Sequence, residues 1–487
     1  MPDKKNKNEI GIEDYFKEHG YNIDYDLKKT SSVRTFESQE EEDFIKSHNE
    51  SGPLNDSNKS IVEYDVYKKV IKRYRFKVHN EDIYSYSEEL GYFKKLTLNE
   101  VRVLIRNGWG EKIEMLLNKH RVDDVIDRIK GCRDLQITSN NFDMHDDFIN
   151  FRNKVFCVSQ GKTYEHSPEY NFKSFIDAEY REDMKKKDGR AFMNFIATCT
   201  GGNEAKVDLI QEICGYVFSN YSRAKKFFVF IGKPHTGKST FLDILKEIVG
   251  GEYTTAIPLH KLGDRFMTAS LFEAKLNISG ELYEGELKGL NTIKALTGND
   301  DVIGEKKGKD PFVFKNRSKL IFAGNSMPTL RRLDSTSAYF DRIEFVIFNN
   351  TIPEDERDLN LKEKILSERD YIVYWAMEGL RRLIKNNFVF TRCKESRKFK
   401  SQYMQEVNTV DSFIETCCHV DRDNKELKAH KRDLYNAYSK YCQDNCLASL
   451  SKMDFFRQIK TLAFKSKKFR KNGSLPLEGF CGIELMV

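Results

Sequence analysis

The chain has no Cys-x-x-Cys pair. Its ten cysteines are scattered, with only Cys417 and Cys418 adjacent and Cys442 and Cys446 close together, so neither a zinc site nor a dithiol redox pair is offered and the thiols read as ordinary reduced cysteines. Also missing is any stretch approaching the ~18–20 apolar residues that a membrane span needs. The opening residues, Met1 to Asn8, lack the apolar core of a signal peptide, which makes a cytoplasmic location the default expectation and excludes a membrane partner. No charge of one sign dominates: 81 Lys and Arg against 75 Asp and Glu leave only +6. Bulk charge therefore does not identify a nucleic-acid binder, and the placement of the bases has to decide.

What is present is 487 residues, 39% apolar and 32% charged, which suits several buried cores beneath a charged surface and excludes a wholly disordered chain. Residues 1–60 read as a tail, with a short helix at Ile12–His19 and then Ser31–Ser60, rich in Ser, Glu, Asn and Asp, as a flexible linker. From Ile61 aromatic alternation (Ile61–Tyr64, Tyr74–Phe76, Ile83–Tyr86, Tyr92–Phe93) predicts short strands. Helical spacing takes over from Leu98, where Thr97-Leu98-Asn99-Glu100 has capping-box spacing. Apolar spacing between Ile176 and Ser219 again predicts helices, so 61–204 is expected to be a mostly helical domain.

Phe227–Ile231 is an unbroken apolar run, as a strand buried on both faces of a parallel sheet requires. It leads into Gly232-Lys233-Pro234-His235-Thr236-Gly237-Lys238-Ser239, which fits G-x-x-x-x-G-K-[ST], and Thr240–Val249 then carries apolar residues at helical spacing. The chemistry needs these residue types. Glycines let backbone amides curl round phosphates, Lys238 can reach the β- and γ-phosphates, and Ser239, followed by Thr240, can ligand Mg²⁺ at a helix N-terminus that itself favours anions. ATP and Mg²⁺ are the implied ligands. The loop alone does not choose between a kinase, a GTPase, a packaging ATPase and a helicase.

Lys275–Leu282 reads as a second core strand ending in Glu281, placed to act as a base or to orient water, with Glu284 and Glu286 as weaker candidates. Then come Lys294-Ala295-Leu296-Thr297-Gly298-Asn299-Asp300, a basic segment with Lys306, Lys307 and Lys309, and the strand-like Lys319–Asn325. This series resembles the helicase domain of superfamily 3, in the branch of phage and plasmid primase-helicases and the poxvirus primase-helicase, where Lys-Ala-Leu-Thr-Gly-x-Asp precedes a DNA-contacting hairpin. The resemblance runs from Ile61 to the C-terminus and is densest over Phe227–Phe348.

It implies an AAA+-like P-loop ATPase domain at 205–390 with Lys238, Glu281, Asn325 and Arg342 as catalytic residues. Glu281 would share the metal with Ser239, and Asn325 would be the polar sensor near the γ-phosphate, with Pro328 closing the following turn. Arg342, within Ala338–Ile343, would be an arginine finger reaching the neighbouring subunit of a hexameric ring. Lys306, Lys307 and Lys309 would grip single-stranded DNA in the pore, although a lysine run outside this context is usually a solvated turn. Two departures stand out. Many relatives carry two consecutive arginines where this chain has Asp341-Arg342, leaving Arg331 or Arg332 as alternative fingers. Gly280 occupies a position where some members carry an acid, so metal binding leans on Ser239 and water.

Past Lys394, Val410–Cys418 and Lys428–Cys442 are helix candidates. Ser451 is placed to cap a further helix to Leu462, followed by Lys465, Lys467, Lys468, Arg470 and Lys471 before an Asn472-Gly473 turn. Helices followed by a basic hairpin resemble a winged helix over 395–487, with Ser451–Leu462 as recognition helix and double-stranded DNA as partner; a basic tail used for subunit packing is the alternative. The expectation is thus a multidomain α/β protein: an AAA+-like core, a mostly helical N-terminal domain and a C-terminal winged helix. Its expected activity is that of an ATP-dependent DNA helicase for a phage, plasmid or other mobile element in a bacterial cytoplasm, recognising an origin and working beside a primase or polymerase. Glu63-Tyr64-Asp65, the nearest thing to paired carboxylates, reads as strand, so no primer synthesis is expected. An ATP-switched origin-binding initiator without unwinding is the competing class. A small-molecule kinase leaves the hairpin lysines, Arg342 and the basic tail without a role.

Overall fold

A computed structural model describes residues 56–109, 111–282, 290–328, 337–445, 447, 449–470 and 475–486. The expected Ile12–His19 helix, most of the Ser31–Ser60 linker, Glu284, Glu286, Arg331, Arg332, Lys471 and the Asn472-Gly473 turn lie outside the described residues.

The first element corrects the sequence reading. Asp56–Arg73 is one helix of 18 residues, so Ile61–Tyr64 is helical, and the helix begins inside the expected linker. Glu63, Val66, Tyr67 and Val70 are buried, the i, i+3, i+4, i+7 face of an amphipathic helix. Four residues taken at Ile61–Tyr64 are too few to separate that period from a period of two. Phe76, Ile83–Tyr86 and Tyr92–Phe93 do lie in strands: β1 (Phe76–His79), β2 (Asp82–Ser87) and β3 (Tyr92–Lys95) form an antiparallel meander. Thr97 and Glu100 complete a capping box at helix Leu98–Arg106. This helix and Lys119–Gly131 close with the first helix over Val66, Val70, Val101, Ile105, Val122 and Ile126. A second meander, β4 (Phe148–Asn150), β5 (Val155–Cys157) and β6 (Lys162–Tyr164), precedes helices Arg190–Thr200 and Glu204–Phe218.

The centre is a parallel sheet of β7 (Phe227–Gly232), β8 (Thr254–Thr255), β9 (Leu276–Ser279), β12 (Lys319–Gly324) and β13 (Ile343–Phe348). Its order is β13-β7-β12-β9-β8. Between β9 and β12 the chain makes an antiparallel hairpin of β10 (Asp301–Gly304) and β11 (Phe312–Lys315). A parallel sheet has to be covered on both faces, and the period-two alternation of strand side chains does the sorting. Phe228 and Phe230 join Ile321, Ala323, Val346 and Phe348 in one core, together with residues of helices Glu204–Phe218, Lys238–Val249 and Arg369–Lys385. Phe227, Val229 and Ile231 join Leu320, Phe322, Phe345 and Ile347 in the other, with helices Met267–Glu273 and Leu290–Gly298. Each of these side chains larger than alanine contributes about 1.5–3 kcal/mol on burial. Behind the first core the fully buried Glu212 accepts from Arg382 Nε at 2.8 Å and from Thr391 N and Oγ1, each at 2.7 Å. Every oxygen of that carboxylate is thereby satisfied, as its burial demands.

The C-terminal part runs helix Thr409–Cys417, β14 (Cys418–Val420), β15 (Lys428–His430), helices Lys431–Asp444 and Lys452–Thr461, then β16 (Lys465–Phe469), β17 (Leu477–Cys481) and β18 (Ile483–Leu485). The expected Lys428–Cys442 helix therefore starts late, because Lys428–His430 pairs with β17 as a strand. Ser451 accepts from Asp454 N at 3.2 Å, the cap expected of it. The three helices and the β15-β17-β16 sheet close over Phe413, Leu434, Tyr438, Phe455 and Phe480. Among the described residues no helix is long and apolar enough to cross a membrane.

Candidate functional site

At the end of β7 the chain folds back over the strand before helix Lys238–Val249 begins. Two glycines are forced there. A Cβ on Gly232 would stand 2.1 Å from Phe348 O on the adjacent β13, and one on Gly237, where φ is +85°, would stand 2.5 Å from Cys199 Sγ. His235 O accepts from Ile352 N at 2.8 Å, and the buried Thr236 donates Oγ1 to Lys233 O at 2.9 Å. Lys238 Nζ sits inside this curl, donating to Gly232 O at 2.5 Å, Lys233 O at 2.7 Å and Thr236 Oγ1 at 3.3 Å. All three acceptors are neutral, the ammonium makes no ion pair among the described residues, and burial lowers its pKa below the usual lysine value. An anion seated beside it would favour the charged form.

Because β12 lies between β7 and β9, the C-terminal ends of three neighbouring strands, ~4.8 Å apart, open along one edge. Gly280-Glu281-Leu282 and Gly324-Asn325-Ser326 therefore meet Pro234 to Thr240 around one cleft of about 510 Å³. Ser239, Glu281 and Asn325 are exposed. The structure thus brings together Pro234, His235, Thr236, Gly237, Lys238, Ser239, Thr240, Glu281 and Asn325. Gly232 and Lys233 stand behind them through the carbonyls that hold Lys238. Gly280, Gly324 and Ser326, which the sequence reading did not single out as site residues, line the same cleft; their signal was adjacency to a strand end. Pro328 O is fixed by the Tyr403 hydroxyl at 2.9 Å.

Arg342 is elsewhere. Its carbonyl accepts from Phe227 N at 2.8 Å, at the start of β7. At ~3.3 Å per residue this puts it on the order of 17 Å along the strand from the loop that begins at Gly232. Its Nη1 donates to the buried Thr297 Oγ1 at 3.1 Å, the threonine of the Lys-Ala-Leu-Thr-Gly segment.

The hairpin lysines have partners that the sequence did not reveal. Lys306 and Lys309 reach Asp82 of β2 at 2.9 and 2.6 Å, Lys95 reaches it at 2.6 Å, and Lys306 also lies 3.6 Å from Glu273. Lys307 is exposed. Burial would raise the Asp82 carboxyl, but hydrogen bonds from Lys309, Lys95 and Lys306 outweigh it and hold the group below the ordinary carboxylate range. A carboxylate depressed in the folded state adds stability above its unfolded value of ~3.9 and loses it only as pH falls through the folded one. The tether is therefore at full strength at neutral pH.

In the C-terminal part, Lys465, Lys467, Lys468 and Arg470 are exposed. Helix Lys452–Thr461 buries Phe455 and Ile459 and leaves Lys452, Arg457 and Lys460 exposed. The spacing of Phe455 and Ile459 places Arg457 and Lys460 on the far side of this helix, which is the signal in the sequence for their exposure.

Residues 62–201 match a family described as D5 N terminal like, and residues 230–342 match a family of unknown function (DUF5906). The first match supports the kinship with phage primase-helicases that the motif series implies; neither covers half of the chain. No curated protein matches. Solved structures similar to this chain include the A form apo structure of the NrS-1 C terminal region, at 12% identity and TM-score 0.47, covering 86% of this chain and 99% of that one. A second A form apo structure of that region has 13% identity and TM-score 0.46, with coverages of 86% and 98%.

Proposed function

We propose that this protein is an ATP-hydrolysing DNA helicase of the superfamily 3 type, acting as a hexameric ring in the replication of a phage, plasmid or other mobile element. The observation that carries the reading is the single cleft in which Lys238, Ser239, Glu281 and Asn325 converge. The strand order supports an AAA+-like core, because inserting β12 between the loop strand and the Glu281 strand leaves Asn325 between the phosphate loop and the carboxylate. ATP would lie with its phosphates against the loop amides and the Lys238 ammonium. Glu281 would take a proton from the attacking water, and Asn325 would hold that water or report the γ-phosphate. The donor set also fits Mg²⁺, which Ser239 and Glu281 would hold and which, when bound, neutralises charge on the phosphate oxygens. Arg342 would complete the site of the next subunit.

Two DNA contacts follow from the charge placement. The hairpin carrying Lys306, Lys307 and Lys309 would meet single-stranded DNA. The C-terminal part is read as a winged helix, with helix Lys452–Thr461 against double-stranded DNA and Lys465, Lys467, Lys468, Arg470 and Lys471 on the wing. A primase or polymerase would act beside it. The test is ATP hydrolysis and forked-duplex unwinding by the purified full chain. DNA-stimulated turnover with strand displacement is expected; turnover indifferent to DNA, without displacement, would replace this reading with an ATP-switched, origin-binding initiator.

Strand capture by the hairpin has to displace Asp82 from Lys306 and Lys309. Asp82→Asn is accordingly expected to tighten oligo-dT binding roughly 3–10-fold at low salt, with the gain shrinking as salt screens the freed charges. Fluorescence anisotropy across a salt series measures it. Unchanged affinity would mean that these lysines do not meet the strand.

A further inference from the structure

At the opposite end of the parallel sheet from the phosphate loop, the structure encloses a polar cavity of about 230 Å³. Lys275, which immediately precedes β9, and Arg317, two residues before β12, face it, joined by Lys173 from the N-terminal region and Lys315 from the base of the hairpin. Two carboxylates line it, Asp143 and Glu273. Glu273 is engaged elsewhere, accepting from the Tyr84 hydroxyl at 2.8 Å and from Lys95 at 3.3 Å. Asp143 Oδ1 accepts from the backbone N of Lys173 at 3.2 Å.

The lysines are held by neutral oxygens. Lys275 Nζ donates to Asn220 Oδ1 at 2.8 Å, and Lys173 Nζ donates to Phe272 O and lies 3.6 Å from the Phe272 ring centroid. Lys319, buried just behind, donates to Arg317 O at 3.0 Å. None of the three makes an ion pair among the described residues, and Arg317 is paired with Asp146. Burial lowers all three lysines, Lys275 to about 8, and Lys275 and Arg317 push Lys319 down further. Asp143 and Glu273 offset part of the charge of Lys173, and Asp143 part of that of Lys275, yet neither ammonium has a paired anion among the described residues, and a desolvated ammonium without one is costly. With Lys315 and Arg317 these two give the cavity four cationic side chains against two carboxylates, which describes a site for an anion.

We propose that this cavity binds a phosphoryl group, as a second anion site separate from the phosphate-loop cleft. Its volume exceeds several times the ~30 Å³ share of one water and falls below the ~300 Å³ at which pockets for drug-sized ligands begin. That suits a phosphate, a pyrophosphate or one phosphodiester link rather than a whole nucleotide. Lys275 and Lys173 supply ammonium donors and Arg317 a guanidinium, the groups that recognise phosphate best. An anion seated there joins the N-terminal region, the base of the hairpin and the starts of two sheet strands. The inference does not depend on the ATPase reading.

The full-length Lys238→Ala protein, whose phosphate loop has lost its lysine, is titrated with inorganic phosphate and with pyrophosphate at constant ionic strength, followed by calorimetry and thermal shift. A saturable rise of the thermal midpoint is expected, with affinity weakened about tenfold or more in Lys238→Ala/Lys275→Met. Lys275→Met keeps the apolar stem, so the ligand-free midpoint should hold or rise. Lys315→Gln, at the exposed rim, gives a second variant in which only phosphate affinity should fall. No saturable shift, or equal shifts with and without Lys275 and Lys315, overturns the site. Competition separates the sources. If pyrophosphate displaces oligo-dT from Lys238→Ala but not from Lys238→Ala/Lys275→Met, the site takes a nucleic-acid backbone; if oligo-dT binding is indifferent to pyrophosphate, it takes a free anion.

Discussion

Replacing Lys238 by alanine is expected to lower ATP turnover about 10³-fold or more, with or without single-stranded DNA. The ammonium rests on two carbonyls and a hydroxyl of its own loop. Those acceptors are neutral, whereas a phosphate oxygen is charged, so contact with it adds the attraction of opposite charges to the hydrogen bond. Bound phosphate would therefore draw the lysine from the loop. Without the lysine, the developing charge on the γ-phosphate loses a preorganised donor in a partly desolvated cleft. Thr236 still ties the loop to Lys233 O, so the ligand-free thermal midpoint should move little. Glu281→Gln separates chemistry from binding: it preserves shape, so nucleotide affinity should stay near that of the wild type while turnover falls roughly 10²–10⁴-fold. Phosphate release and equilibrium nucleotide binding read both variants. Turnover by Lys238→Ala within tenfold of the wild type would sink the assignment of the cleft.

Arg342→Ala is expected to cost about 10³-fold or more in turnover while leaving nucleotide binding nearly intact. Distance makes this a statement about two subunits. With its carbonyl on Phe227 N, Arg342 stands a strand length away from the loop of its own chain. It acts on a nucleotide only if a neighbour's cleft comes to it. Mixing supplies the decisive measurement. Arg342→Ala subunits have an intact loop and Lys238→Ala subunits an intact arginine, so each alone should be inactive and a mixture should recover part of the turnover at the composite interfaces. No recovery would leave Arg342 with a local role, holding Thr297 through its 3.1 Å hydrogen bond. That role would show as a lower thermal midpoint in the single variant.

The cleft was legible in the sequence because its signals are local. An apolar run, a glycine loop and an amphipathic helix in sequence specify Gly232 to Thr240, while Asn325 follows directly on one strand and Glu281 follows the end of another with one residue between. Ser451 and the Thr97–Glu100 box were equally readable, since a cap is settled within four residues. The helix at Asp56–Arg73 was missed for the converse reason: its burial signal extends from Glu63 to Val70, beyond the four residues taken as a strand. The partners of Lys306 and Lys309 were out of reach altogether. Asp82 lies more than two hundred residues earlier, and nothing in the composition of either segment announces that β2 and the hairpin meet. The basic cavity is likewise a product of tertiary folding, assembled from single lysines that look solvated one by one.

Strand β7 carries a consequence for how this protein tolerates change. Its residues answer alternately to two different cores, so Phe227 to Ile231 contains no position facing water at which substitutions can accumulate freely. Truncating any of its phenylalanines opens a cavity in one core or the other, at about 3–5 kcal/mol, a large share of the stability of most domains. The loop that follows is thereby carried on the least permissive stretch of the sheet. Variation in this region is channelled away from the strand and into the exposed positions of the loop, such as Pro234, while the aim of Lys238 is preserved.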